Sequence, residues 1–342
     1  MLRDFARKCL YASGALGLYH RLRNRDSLTV VMFHRTLRRD DPRWASCDPD
    51  YTLGEDLFER SIAFFRRHYR VVSLDDVLRA RRDGVRLPAR ALLITFDDGW
   101  LDNVDYALPA LRRSGLPAVM FVAADAVGAR QPFWQERLVG SLRLGRLALD
   151  DLAAALVEHG GARPERRGIA GLRAIIAQLE KMPASTRNEV LARFADVLDD
   201  GHRHMVDVAD LKVLRAGGVE LGLHGKSHVA MTRAEDLDAE LGGARSAMAS
   251  MLDAPEGLAS VACATMSFPH GAFDPDIAAR AREAGYELLF TSVPVLNAVG
   301  ERPSWLLGRT GYETDTVADA RGRFRPERLA WYLFRKQAQR LA

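Results

Sequence analysis

Ala91–Phe96 (ALLITF), five apolar residues and a threonine, ends without transition at Asp97-Asp98-Gly99. The run is too short for a buried helix and nearly unbroken in apolar character. It predicts a strand covered on both faces, the condition of a parallel α/β sheet. Two adjacent carboxylates directly after such a strand are costly to bury unless cations or donors meet them. The plain reading is an Asp-Asp-Gly surface turn. The other is a site, because neighbouring residues point in different directions: one carboxylate can hold a cation while the next faces a substrate. On this segment alone the two readings carry equal weight.

The surrounding pattern favours the sheet. Ser27–Phe33 (SLTVVMF) and Ala118–Ala123 (AVMFVA) share the continuous apolar character, and Val71-Val72 is a short version of it. Leu57–Tyr69, Leu74–Arg81 and Tyr106–Ser114 show apolar residues at helical spacing, the last stopping at Gly115. Strands alternating with such helices predict an α/β architecture. From Gln131 to about Gly217 (131–217) strand signals vanish and helical segments take over, among them Asp150–Glu158 and Ala170–Lys181. This stretch reads as a helical insertion and not as an independent domain. The rhythm resumes with Val219–Leu223, Thr265–Phe268 and Glu287–Thr291 as strands, and Glu235–Met251 and Asp276–Ala284 as helices.

Charge narrows the class of partner. The 342 residues carry 49 Lys/Arg against 45 Asp/Glu, net +4. Residues 1–26 hold six basic and two acidic groups, and residues 321–342 seven and one, so the rest of the chain is net −6. No nucleic-acid partner is expected for such a body. The expected organisation is a basic N-terminal helix (1–26), a body over 27–320 containing the insertion, and a basic amphipathic C-terminal helix (321–342). Leu329–Leu341 (LAWYLFRKQAQRL) either docks on the body with its arginines solvated or lies on an anionic membrane surface. Three scattered cysteines, Cys9, Cys47 and Cys263, point to a reducing compartment. The expected location is cytoplasmic, with peripheral contact at the inner membrane through the basic termini. No apolar run reaches the roughly 18 residues of a spanning helix. Cys9–Tyr19 has some signal-peptide character, but its two tyrosines and the lack of a cleavage site make secretion the weaker expectation.

Two further strand ends carry residues with a chemical use. His224-Gly225-Lys226-Ser227-His228 follows Val219–Leu223, and two imidazoles at this spacing can converge on one metal. Alone, such a pair is often accidental. Joined by a carboxylate, all at strand ends, it becomes a facial set suited to Zn²⁺, or to Ni²⁺, Co²⁺ or Fe²⁺, holding water for hydrolysis. Ser267-Phe268-Pro269-His270-Gly271 ends another strand. It is either a plain turn or one that presents a backbone N–H to a developing oxyanion.

Together these residues resemble the polysaccharide deacetylases, carbohydrate esterase family 4, which include chitin, chitooligosaccharide and peptidoglycan deacetylases. Thr95–Gly99 (TFDDG) matches the family's first signature in full, and His224–His228 matches its HxxxH element. Ser267–Gly271 resembles the Phe-x-Tyr-Pro-Tyr-Gly element of the bacterial exopolysaccharide branch, with His270 where Tyr is usual. Phe33-His34-Arg35 resembles that branch's early Tyr-His-Arg. Asp102-Asn103, Ala107-Leu108-Pro109 and Leu116-Pro117-Ala118 look like the family's continuation after TFDDG. The likeness spans about residues 28–310, interrupted by the insertion.

The resemblance implies a distorted (β/α) barrel with fewer than eight regular strands and a divalent metal in its mouth, zinc first. Asp98, His224 and His228 would hold the metal and Asp97 would be the general base. An N-acetylated glycan would be the substrate, attacked by metal-activated water, with the His270 backbone N–H and the metal stabilising the oxyanion. Two departures stand out. The family's late Leu-x-His, whose His protonates the leaving amine, has no counterpart after His270, which leaves His270 and His34 as candidates. The Arg that usually orients the base is missing before Pro269; Arg309 resembles the branch's late Arg and is the candidate substitute, or else a surface charge. Alternatives are a C–N hydrolase acting on a non-sugar amide and a catalytically weak carbohydrate-binding relative.

Overall fold

The computed structural model describes residues 2–252 and 263–342. The chain divides into two compact units. Residues 1–38, 50–128 and 206–342 form the first, and residues 39–49 with 129–205 form the second.

The strands of the first unit are β1 (Ser27–Phe33), β2 (Arg35–Leu37), β3 (Thr52–Gly54), β4 (Arg70–Val71), β5 (Ala91–Phe96), β6 (Ala118–Val122), β7 (Val219–Leu223), β8 (Thr265–Ser267), β9 (Leu288–Phe290), β10 (Leu296–Ala298), β11 (Leu306–Leu307), β12 (Thr310–Gly311) and β13 (Ala338–Gln339). Eleven join one sheet in the order β11-β9-β8-β7-β6-β5-β1-β10-β13, with β12 on β1 and β4 on β5. Only the β1–β10 pairing is antiparallel. Four of the eleven strands are two-residue pieces, so the fold is the distorted (β/α) barrel with few regular strands. Every residue of β5 and β6 is buried. This is why both read as continuous apolar runs and not as alternating ones.

Register decides where the polar strand ends gather. Phe33 pairs with Phe96, Val122 with Leu223, and Ser267 with Phe290. Because these strands run parallel, His34, Asp97 and His224 all emerge at the same carboxyl edge, next to Ser267.

The ends of the chain pack on this unit. Helices α1 (Leu2–Ala12) and α2 (Ala15–Arg23) replace the single N-terminal helix, broken at Gly14, whose φ of 79° is left-handed. His20 of α2 stacks on Phe334 with ring centroids 4.1 Å apart, and Asn24 Nδ2–H donates to the Phe334 carbonyl at 2.8 Å. The C-terminal helix is shorter than its sequence suggests. It spans Pro326–Phe334, and Ala338–Gln339 leaves as β13 to pair with β10. The run Arg335-Lys336-Gln337 offers no apolar side to extend the helix, whereas the edge of β10 offers backbone partners. Leu329, Ala330, Leu333 and Phe334 are buried, so the apolar side of this helix is already covered by the fold.

Two other expected helices begin with a wide turn, Asn103–Ala107 before Leu108–Ser114 and Ala239–Gly243 before Ala244–Met251. The short strands β10 to β13 have too few residues to show a period, and the sequence did not announce them.

The second unit is helical. Trp134–Arg143, Leu149–Glu158, Gly168–Leu179 and Ala184–Ala192 surround their own core, which includes Leu138, Leu152, Leu156, Leu172, Ile175 and Leu179. Residues 39–49, distant in sequence, join it. Asp48 pairs with Arg173, and helix Trp134–Arg143 comes so close that a Cβ on Gly140 would sit 2.9 Å from the Ser46 carbonyl oxygen. The fifth helix of the expected insertion, Val208–Ala216, lies in the first unit and packs on β7.

Candidate active site

Asp97 and Asp98 meet different partners, as adjacent residues at a strand end should. Asp97 is buried and held from two sides by Arg309: Nη1–H donates to Oδ1 at 2.6 Å and Nη2–H to Oδ2 at 2.8 Å. Arg309 is itself fully buried, its Nε–H donating to the Thr291 carbonyl at 3.1 Å and Nη2–H to Ser267 Oγ at 3.1 Å. Burial alone would push the Asp97 carboxyl up. The Arg309 guanidinium and His224 outweigh it and hold Asp97 below the usual carboxylate range. A bidentate guanidinium pair of this kind fixes orientation as well as charge.

Asp98 faces the imidazoles. Its Oδ1 lies 3.3 Å from His224 Nε2 and 3.2 Å from His228 Nε2. The three ligand atoms all fall within 4.8 Å of one another. One carboxylate oxygen and two imidazole nitrogens are a donor set that fits Zn²⁺ and its neighbours. The orientation of His224 is built in: Nδ1 lies 2.9 Å from the Ser267 carbonyl oxygen, which can only accept. Nδ1 therefore carries a proton, and Nε2 is the ring nitrogen turned towards Asp98. Burial pushes Asp98 up, but His228 and His224 bring it well below the ordinary carboxylate value. His224 is raised, because Asp97 and Asp98 outweigh its burial.

The backbone is strained here. Of the four described non-glycine residues with left-handed φ, three are Asp98 (79°), His228 (63°) and His270 (56°). Gly99 continues the turn at φ 93°, and a Cβ there would come within 3.0 Å of Val122 Cγ1. Strain of this sort persists only where surrounding contacts enforce it.

Those contacts come largely from residues that sequence reasoning missed. Trp100 Nε1–H donates to Asp98 Oδ2 at 2.8 Å, which leaves Oδ1 for the imidazole pair. Arg35 lies over the Trp100 ring at 4.3 Å and forms a buried ion pair with Asp102 at 2.7 Å. Ser267 Oγ touches Asp97 at 3.3 Å and His224 Nδ1 at 2.6 Å. Glu240 accepts from the backbone N–H of Lys226 and Ser227 at 2.8 and 3.0 Å and so sets the His224–His228 loop. Only Trp100 and Arg35 had an available signal, being next in sequence to Asp97–Gly99 and to His34.

The remaining candidates differ. Arg309 is a buried partner of Asp97, not a surface charge. His34 follows β1, its ring edge-on to Tyr51 at 4.9 Å. Burial pushes its pKa down, opposed by Asp98 and Asp97. His270 is exposed, its ring 4.6 Å from that of His228 and its Nε2 3.2 Å from the His228 carbonyl oxygen.

Comparisons with known proteins agree with this architecture. The polysaccharide deacetylase family profile matches residues 84–162, which include the Asp pair and end before His224. YxkH of Bacillus subtilis, a protein assigned to the polysaccharide deacetylases, is 27% identical over 78 residues, 23% of this chain. The chain thus spans 28% of that relative's length. Among solved structures, the Streptococcus pyogenes deacetylase PplD in complex with acetate aligns with a TM-score of 0.55 at 14% identity, covering 90% of this chain and 99% of its own. IcaB from Ammonifex degensii aligns with a TM-score of 0.55 at 16% identity, covering 90% and 97%. At these identities the structural likeness is one of fold.

Proposed function

We propose that the chain, of which residues 84–162 match the polysaccharide deacetylase family profile, hydrolyses the N-acetyl amide of an amino sugar in a cell-surface polysaccharide, oligosaccharide or lipid-linked saccharide, releasing acetate. The observation that carries the reading is the adjacent pair itself: Asp97 locked as an anion by Arg309, and Asp98 converging with His224 and His228. A carbohydrate-binding protein has little use for a held base beside a metal-ligand set.

Asp98, His224 and His228 would hold a divalent cation, zinc by the donor set, with cobalt, nickel and iron as alternatives. Such a cation would supply a water of lowered pKa and positive charge for the oxyanion. Asp97 takes the proton of the attacking water. Arg309 keeps Asp97 charged beforehand and aims its oxygens, which removes a reorientation from the barrier. The His270 backbone N–H donates to the amide oxygen as it becomes negative. The proton for the leaving nitrogen comes from His34, which follows β1, or from His270, whose ring lies beside that of His228. The three cysteines are unpaired, in keeping with a reducing, cytoplasmic setting.

The test is acetate release from N-acetylglucosamine oligomers with added Zn²⁺, Co²⁺ or Ni²⁺. Activity that needs metal and falls about 10²–10⁴-fold in Asp97→Asn, the range of a lost general base, supports the proposal. Metal binding and sugar affinity without acetate release would identify a binding protein instead. Turnover only of non-sugar amides would assign the site to another C–N hydrolase.

A further inference from the structure

Ten large apolar side chains are exposed among the described residues, and half of them (Phe5, Leu10, Leu18, Tyr19 and Leu22) lie in α1 and α2. Single exposed apolar residues are ordinary, but such a concentration within one short stretch is not. Helical spacing explains how they come to be outside. Along α2 and its C-cap the buried residues Leu16, His20 and Asn24 recur every four positions and face inward. Leu18 and Leu22 project from the other side and are 50% and 74% exposed. In α1, Tyr11 is the inward residue, stacked on Phe64 with centroids 6.4 Å apart, while Phe5 stays 66% exposed.

Cations are interleaved with these residues. Both acidic groups of residues 1–26 are occupied. Asp4 pairs with Arg7 at 3.3 Å and with Arg328 at 3.8 Å, and Asp26 with Arg86 at 2.9 Å. Lys8, Arg21 and Arg25 are exposed and have no carboxylate partner among the described residues. The surface is thus both apolar and in surplus of positive charge. The other basic end of the chain lacks the apolar half of this combination, because its helix buries Leu329, Leu333 and Phe334.

We propose that the outer faces of α1 and α2 dock on an anionic lipid surface, with Leu18, Leu22 and Phe5 entering the headgroup boundary and Lys8, Arg21 and Arg25 meeting the lipid charge. Interfacial helices combine these two features, and each basic residue near an anionic membrane adds to the attraction. A second copy of the chain is a poorer occupant, since like faces would bring unpaired cations together.

The test is co-sedimentation of the full chain with vesicles of phosphatidylcholine, alone and mixed with phosphatidylglycerol. The chain should partition onto the mixed vesicles, less so as salt rises. Leu18→Gln with Leu22→Gln should abolish partitioning. Lys8→Gln, Arg21→Gln and Arg25→Gln should each weaken it about fivefold. Tm and acetate release should stay unchanged in all of them, since none of these residues touches the active site. A full chain that ignores anionic vesicles, or variants that partition as well as the parent, would overturn the proposal. So would a dimer in vesicle-free solution that Leu18→Gln with Leu22→Gln dissociates, because a second copy would then be the occupant.

Discussion

Asp-Asp-Gly occurs twice in this chain, and the two copies fold into different things. At residues 97–99 it ends a buried strand of the first unit; at residues 199–201 it turns a loop of the second. Asp200 spends its oxygens locally. It accepts from Ser46 Oγ at 2.6 Å, from the His202 backbone N–H at 2.9 Å, and meets His204 Nε2 at 2.8 Å. Asp98 is the reverse case. One oxygen is tied to Trp100, and the other faces two imidazole nitrogens, those of His224 and His228. Asp98 is also forced into left-handed φ, whereas Asp200 is not. The same three residues therefore make a knot in one context and part of a candidate ligand cluster in the other. What separates them is convergence: imidazoles brought from the end of another strand onto one oxygen. A short motif carries chemistry only where the fold withholds local partners from it.

The strongest way to break this distinction is to change the second Asp of each turn. Asp98→Asn should lose its metal on gel filtration and drop acetate release about 10²–10³-fold, the scale of a lost preorganised charge. Asp200→Asn should leave metal content and activity unchanged. Equal losses in the two variants would erase the difference drawn here.

A smaller effect tests the tether on Asp98. Trp100→Phe keeps the ring under Arg35 but frees Oδ2, so the carboxylate can rotate. Metal affinity should weaken about 10–100-fold, the usual scale for removing the partner of a ligand. In a Co²⁺ titration the visible spectrum should shift as well, since a second carboxylate oxygen can then coordinate. An unchanged spectrum with unchanged affinity would make Trp100 mere packing.

The smallest effect is on stability at the second turn. Partner hydrogen bonds hold the Asp200 carboxyl below its ordinary value against the opposing effect of burial. A group whose folded pKa is depressed stabilises the fold above its unfolded value, and that stabilisation is lost as pH falls through the folded one. Asp200→Asn should therefore cost about 1 kcal/mol in urea unfolding at neutral pH, and the deficit should shrink progressively below about pH 4. A deficit independent of pH would mean that the charge of Asp200 plays no part.

Much of the first unit was legible because its strands are buried on both faces. β1 and β5 fall at Ser27–Phe33 and Ala91–Phe96, where continuous apolar runs placed them. The clustering of Asp98, His224 and His228 was readable for a related reason: Asp98 and His224 sit just past such runs, and register aligns the runs. Arg309 was open to either reading, and only its burial against Asp97 distinguishes them. Ser267 lies within the Ser267–Gly271 element, but its contacts to Asp97 and His224 arise only once the chain has folded back over long separations. Glu240 acts the same way, and nothing local marks it. The joining of residues 39–49 to the helical unit is of the same kind, resting on such contacts as Asp48 with Arg173.

Arg309 reaches Asp97 across 212 positions of sequence. During synthesis the strand carrying Asp97 is made long before its counter-ion. Until Arg309 arrives, that strand end must either stay hydrated or bury an uncompensated charge, at a cost of several kcal/mol. The barrel mouth is therefore among the last parts of the molecule able to close. A chain shortened before residue 309 would lack the guanidinium that grips Asp97.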